Sequence, residues 1–174
     1  MSSSVTHELQ LVAWLQEHRG IFVKVARSFA GEAAAQDDLV QEMAVQLWQS
    51  LPRFKNQSKA STWIYRVCLN TALHWRRTEQ GRGASEPLDG TSELSSAGPS
   101  PDEAHASSEL LDAVYAQIRA LPPAERSLVI LQLDGLSYRE ISDILGMSEN
   151  HVGVALTRVR KKLADSLKEV RDEL

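Results

Sequence analysis

The sequence predicts an all-α protein made of two small helical domains joined by a flexible linker. Three observations carry that prediction. Apolar residues recur at helical spacing between Leu9 and Trp75 and again between Leu110 and Leu163. No run alternates apolar and polar residues as a half-buried strand would. The charge divides in the same way: a net charge of -4 over 174 residues conceals +3 in residues 1–77, -7 in 78–118 and zero in 119–174. Such asymmetry fits two modules around an acidic connector.

The first helix is expected from Leu9 to Phe29, with Leu11, Leu15, Phe22, Val25 and Phe29 inward and Gly31 placed to end it. A second is expected near Asp37 and Asp38, where carboxylates suit the positive end of the helix dipole, running through Val40, Met43 and Leu47 and stopping before Pro52. Ser61 or Thr62 can cap a third, whose inward stripe is Ile64, Val67, Cys68, Thr71 and Trp75. From Thr78 to Ser108 the pattern gives way to Gly, Pro, Ser and acidic residues, which reads as the linker. Helical spacing returns at Leu110, Leu111, Val114 and Ile118, breaks at Leu121-Pro122-Pro123, and resumes from Leu128 to Leu133 before Gly135.

Several function classes are excluded on these grounds. No apolar run approaches the roughly 18 residues that span a bilayer, and Met1 to Glu8 lack a basic-then-apolar signal. A cytoplasmic protein with no membrane insertion is expected. The single Cys68 can form no internal disulfide or thiolate cluster and reads as a small buried hydrophobe. There is no Gly-rich phosphate loop, and the five His lie far apart. Neither enzyme chemistry, metal nor cofactor is therefore expected.

The strongest local signal lies near the C-terminus. Ser137-Tyr138-Arg139-Glu140 is a capping box that opens a short helix carrying Ile141, Ile144 and Leu145. Gly146-Met147-Ser148 turns into a further helix with Val152, Ala155, Leu156, Val159 and Leu163 inward, and small Ser142 sits where the two must approach. Two helices joined by a short Gly-containing turn form a helix-turn-helix. The second leaves Glu149, Asn150, Gly153, Val154, Thr157, Arg158 and Lys161 facing out, with a basic end formed by Arg158, Arg160, Lys161 and Lys162. Major-groove reading needs polar side chains at a helix end and flanking cations for phosphates. A helical hairpin with a solvated basic face is the plainer reading of the same residues.

Asp37-Asp38-Leu39-Val40-Gln41-Glu42-Met43, Trp48, Pro52-Arg53-Phe54, Ser61 to Val67, Asn70 and Arg76-Arg77 together resemble region 2 of bacterial sigma factors. Leu136 to Ile141, Leu145 to Ser148 and Arg158 to Leu163 resemble their region 4, and the small size resembles the extracytoplasmic-function group. The resemblance implies a sigma region 2 in residues 1–77, a linker in 78–108 and a sigma region 4 in 109–174. It implies three macromolecular partners: the clamp helices of the largest subunit of core RNA polymerase, promoter DNA as duplex and as single strand, and an anti-sigma factor, which no segment here specifies.

Residue by residue, Asp38, Gln41, Glu42 and Val45 form one outward stripe, and the resemblance implies that it docks on the polymerase. Without it, Asp37 and Asp38 equally serve the helix dipole. Residues 43–78 carry six cations, Arg53, Lys55, Lys59, Arg66, Arg76 and Arg77, and no acid, interleaved with Phe54, Trp63, Tyr65 and Trp75. Cations beside stacking aromatics suit single-stranded DNA, and the resemblance implies that Phe54 to Ser61 and the following helix hold an opened strand at the minus-ten element. Trp63, Arg66 and Asn70 share one helix face; Trp63 and Trp75 also fit a core, the commoner place for Trp75. Two departures from the family pattern stand out. Many members begin the recognition helix Gly-Thr-Val-Lys-Ser-Arg, whereas Asn150-His151-Val152-Gly153-Val154-Ala155 has no Lys or Arg and contains an interior Gly. His74 stands where Asp is common.

A polymerase-independent regulator, with the helix-turn-helix on DNA and the N-terminal helices dimerising, is the alternative of a different class. A dimerisation domain gives no reason for the acidic stripe around Glu42 or the basic run from Trp63 to Arg77.

Overall fold

The computed structural model describes residues 2–81 and 101–173, and all the regular structure in them is helical. Eight α-helices follow in chain order: α1 Ser2–Glu17, α2 Arg19–Phe29, α3 Ala33–Ser50, α4 Ala60–Gly81, α5 Pro101–Ala120, α6 Pro123–Leu133, α7 Tyr138–Leu145 and α8 Glu149–Glu173. A short 3-10 turn, Leu51–Arg53, follows α3.

The expected first helix is two helices. Apolar spacing continues across the break, but His18 sits at φ -108° and ψ 20°, outside helical geometry, and Gly20 weakens helix continuation just after it. Trp14 ends buried against Phe54 while α2 buries Phe22, Val25 and Phe29. The stop comes at extended Ala30, one residue before Gly31. Helix α3 starts at Ala33, four residues earlier than expected, so Asp37 lies beyond its first turn, where the dipole has little hold. Helix α4 starts at Ala60 with the Trp63 amide bonded to the Lys59 carbonyl, so Ser61 and Thr62 stand inside its first turn, not at its cap.

The linker expected at 78–108 is shorter among the described residues. Helix α4 runs to Gly81 and α5 starts at Pro101, where proline's fixed φ suits a first helical position. The remainder, 82–100, lies outside the described residues.

Helices α2, α3 and α4 bury Val25, Phe29, Leu39, Met43, Leu47, Ile64, Cys68 and Leu69 almost completely. Helices α6, α7 and α8 bury Leu131, Ile141, Val152 and Leu156 as fully. These are not separate cores: the apolar contacts run on from one set to the other, because α7 packs on α4 while α5 and α6 pack on α2. Burying each such side chain contributes about 1.5–3 kcal/mol, so the seam between the halves is part of what holds the chain together. Among the described residues no helix is long and apolar enough to cross a membrane, and no group of His, Cys, Asp or Glu could hold a metal ion.

Candidate nucleic-acid interface

Two surfaces gather the residues singled out by the sequence. The first surrounds the loop between α3 and α4. Phe54 meets Trp14 edge-on at 5.0 Å and Trp63 at 5.5 Å, which fixes the start of the loop. Asn56 takes φ 55°, a left-handed turn that asparagine tolerates better than most residues. The Trp63 indole donates to Ser50 Oγ at 3.2 Å, and Ser50 donates to the Leu47 carbonyl at 2.8 Å. Trp63 therefore stands half-buried with one edge bound to α3. Around this scaffold Arg53, Phe54, Lys55, Lys59, Trp63 and Arg66 line a common recess, whose far wall is Glu140 and Asp143 of α7.

A neighbouring groove runs between α3 and α4. Asp38, Glu42 and Gln46 line one side, and Arg66, Asn70, His74 and Trp75 the other. The stripe Asp38, Gln41, Glu42 and Val45 is exposed along its length, with Glu42 accepting a hydrogen bond from Gln46 at 2.9 Å. The acidic stripe and the candidate strand-binding face thus border one groove. Gln46 and His74 had no assigned role in the sequence; helical spacing from Glu42 and Asn70 was the signal for both.

Two residues of the basic run sit differently from the rest. Tyr65 is buried and belongs to the core with Cys68 and Leu69 rather than to a stacking surface. Arg76 is half-buried; its Nε is closed off from solvent without an acceptor, and its charge helps hold the Arg126 guanidinium below its usual value, after the larger effect of burial. Arg77 is exposed.

The second surface is the outer face of α8. The capping box forms as expected: Ser137 Oγ accepts from the Glu140 amide and Glu140 accepts from the Ser137 amide at 2.9 Å. Gly146 closes α7 at φ 70°, and Ser142 donates to the Met147 carbonyl, so its hydroxyl ties the turn in addition to allowing close approach. Glu149, Asn150, Val154, Thr157, Arg158 and Lys161 are exposed on α8. Gly153 has a local reason: a Cβ there would stand 3.3 Å from the Tyr138 ring, which lies against the helix at that point. Thr157 donates its hydroxyl back to the Gly153 carbonyl at 2.9 Å. The basic end divides, because Arg160 bonds Gln132 at 3.0 Å and Lys162 bonds Glu125 at 2.6 Å. Arg158 and Lys161 are exposed on the same stretch of helix.

Lys59 and Glu140 join the two surfaces at 2.8 Å. The hydrogen bond from Lys59, then those from the Ser137 amide and hydroxyl, push the Glu140 carboxyl down to about 2, and Glu140 raises Lys59 in return. Burial pushes the Cys68 thiol well above its ordinary value, as an inert core residue requires.

Residues 14–82 match Sigma-70 region 2, and residues 111–163 match Sigma-70, region 4. The chain is 31% identical over 134 residues to the ECF RNA polymerase sigma-E factor of Escherichia coli (strain K12), covering 72% of this chain and 70% of that one. The chain belongs to the ECF RNA polymerase sigma factors. Its fold is shared with CnrH, solved in complex with the cytosolic domain of CnrY, at TM-score 0.69 and 21% identity over 97% of this chain and 94% of that one. The sigma factor RpoE of Bartonella quintana, solved with the anti-sigma factor NepR, gives TM-score 0.63 and 18% identity over 90% and 97% of the two chains. A sigma factor binds core RNA polymerase and brings it to promoters, and both sigma regions are present in this chain in the expected order.

Proposed function

We propose that this sigma factor divides promoter recognition between its two surfaces. Residues 1–77 hold core polymerase through Asp38, Gln41, Glu42 and Val45, and hold the opened minus-ten strand through Arg53, Phe54, Lys55, Lys59, Trp63, Arg66, Asn70 and the basic pair Arg76-Arg77. Residues 109–174 read the minus-35 duplex through Glu149, Asn150, Gly153, Val154, Thr157, Arg158 and Lys161. The protein works in the cytoplasm, no catalytic step is assigned to this chain, and an anti-sigma factor is its expected inhibitor.

The observation that carries this reading is the chemical contrast between the surfaces. Cations beside aromatic rings suit bases that have left the stack, and the groove shared with the acidic stripe would put the strand next to the polymerase contact. The start of α8 offers Asn150 for an adenine edge and exposed Val154 for a thymine methyl, with Arg158 and Lys161 positioned for phosphates.

Asn70 is the cleanest probe of strand capture, because it is exposed whereas Trp63 also supports the loop. With core polymerase, Asn70→Ala should lower run-off transcription from a duplex promoter about ten-fold more than from a template already mismatched across the start region, equivalent to about 1.4 kcal/mol, the order of one hydrogen bond from its amide to an unstacked base. Equal losses on both templates would remove Asn70 from strand capture.

A further inference from the structure

The C-terminal end of α2 is crowded with guanidinium groups. Arg119, at the end of α5, donates to the Arg27 carbonyl at 2.8 Å and lies beside Gly31, its Nε 3.8 Å from where a Cβ would stand. Arg126 of α6 has only 5% of its surface exposed; its Nε donates to the Leu121 carbonyl at 2.7 Å, and its guanidinium stands 5.5 Å over the Phe29 ring. Arg76 of α4 comes to the same place, one helical turn beyond Ala72, which is fully buried in the apolar cluster that contains Phe29. Helices α4, α5 and α6 thus each bring a cation to one end of α2.

Helix capping accounts for part of this crowding. Cations suit the negative end of a helix dipole, and Arg119, together with Gln36, which bonds the Ala30 carbonyl at 3.1 Å, occupies carbonyls that α2 leaves free. Capping does not explain the other two. Arg126 Nη1 and Arg76 Nε are buried without an acceptor, and none of the three guanidinium groups forms an ion pair among the described residues. Burial, then the Arg76 and Arg119 charges, hold Arg126 below its usual value, so the like charges are close enough to repel one another. Asp112, the carboxylate that acts on Arg119, is already engaged by Arg27 at 2.6 Å. Buried donors without acceptors are rare in folded proteins, and a bound ion is one of the few things that satisfies them.

We propose that Arg76, Arg119 and Arg126 form a binding site for a small multivalent oxyanion of the diphosphate class, held between α4, α5 and α6. The planar guanidinium fork presents paired N–H groups that match the spacing of phosphate oxygens. A diphosphate offers oxygens in several directions, so it supplies acceptors to Arg126 and Arg76 at once and cancels the repulsion among the three cations. Arg76 and Arg119 are half-buried and form the entrance, with Arg126 closed off behind them. The site shares only Arg76 with the strand-binding run, and Arg76 is the half-buried member of the pair whose partner Arg77 is exposed.

The test is a calorimetric titration of the full chain with inorganic pyrophosphate in magnesium-free buffer, with ionic strength held constant by sodium chloride. The parent should bind pyrophosphate saturably, and its thermal midpoint should rise with ligand concentration, because a ligand that binds the folded chain alone stabilises it. Arg76→Gln and Arg126→Lys should each weaken binding about ten-fold or more; the lysine keeps the charge but loses the fork. Arg139→Gln, which removes an exposed cation on α7, should bind as the parent does. The same titration with a nucleoside diphosphate separates the two sources of this chemistry: equal affinity supports a site for the phosphates alone, and tighter binding supports a nucleotide. Absence of saturable binding by the parent, parent-like affinity in Arg76→Gln, or a loss in Arg139→Gln as large as in the cluster variants would overturn the proposal. Should Arg126→Lys fail to fold, Arg119→Gln takes its place with the same expected loss, since that side chain is only half-buried.

Discussion

The two candidate DNA surfaces of this sigma factor differ in opposite senses. The α3–α4 loop is strongly basic and covered, with Lys59 and Arg66 engaged by α7. The start of α8 has no Lys or Arg before Arg158 and is open, with Asn150, Val154 and Thr157 exposed. Charge density alone would rank the first as the better DNA site in the free chain. Occupancy reverses that ranking: a cation already paired must be released before it can meet a phosphate, whereas an open face with few cations can bind at once but weakly.

The largest effect should come from the seam that covers the first surface. Ile141 of α7 is fully buried in the apolar cluster that also includes Ile64 and Leu69. Ile141→Ala should cost about 2–5 kcal/mol. All four Trp belong to the N-terminal half, so their fluorescence reports unfolding there. If the seam couples the halves, the substitution in the C-terminal half will lower the denaturant midpoint seen by those Trp. An unmoved Trp transition, with loss confined to the far-UV signal, would mean that the halves unfold independently and that the first surface is only loosely covered.

The open surface should yield a smaller, salt-dependent effect. Replacing both Arg158 and Lys161 with Ala should flatten the slope of log affinity against log salt by roughly two units for upstream duplex, about one for each phosphate left without its cation. Arg160→Ala should leave the slope nearly unchanged, because that side chain is tethered to Gln132. Equal slopes for all variants would separate duplex binding from the basic end of α8.

How much of this contrast could be read from the sequence depended on distance along the chain. The capping box, the Gly146 turn and the stripe from Asp38 to Val45 are fixed by residues within two helical turns of one another, and all were legible. The break at His18 was not, because Leu15 and Phe22 keep the apolar phase across it and only backbone geometry shows the interruption. The start of α5 had a readable cue in Pro101-Asp102-Glu103, a proline followed by carboxylates, but it was absorbed into a stretch already rich in proline. Tyr65 read as a stacking residue from its cationic neighbours, whereas its phase with Cys68, Leu69 and Ala72 placed it in the core. The covering of Lys59 by Glu140 joins residues 81 positions apart, and nothing local encodes it.

The smallest effect concerns the glycine inside α8. Alanine is favoured over glycine in a helix by about 1 kcal/mol, but at position 153 its Cβ would meet the Tyr138 ring at 3.3 Å. Gly153→Ala alone should therefore change thermal stability little, while the same change in a Tyr138→Ala background should show the full helix gain over Tyr138→Ala alone. A full gain in the single variant would mean that the ring moves aside freely and does not shape the open face.

Glu140 accepts the Ser137 amide that starts α7 and the Lys59 ammonium across the seam between the halves. One carboxylate therefore serves both the capping of the helix-turn-helix and an ion pair across the seam. Most replacements would damage both at once and be lost with the motif. Glutamine is the exception, since its amide can still accept the Ser137 bond, and its codons differ from those of glutamate by a single nucleotide. The ion pair can thus be lost in one mutational step while the helix-turn-helix survives and the apolar seam stays in place.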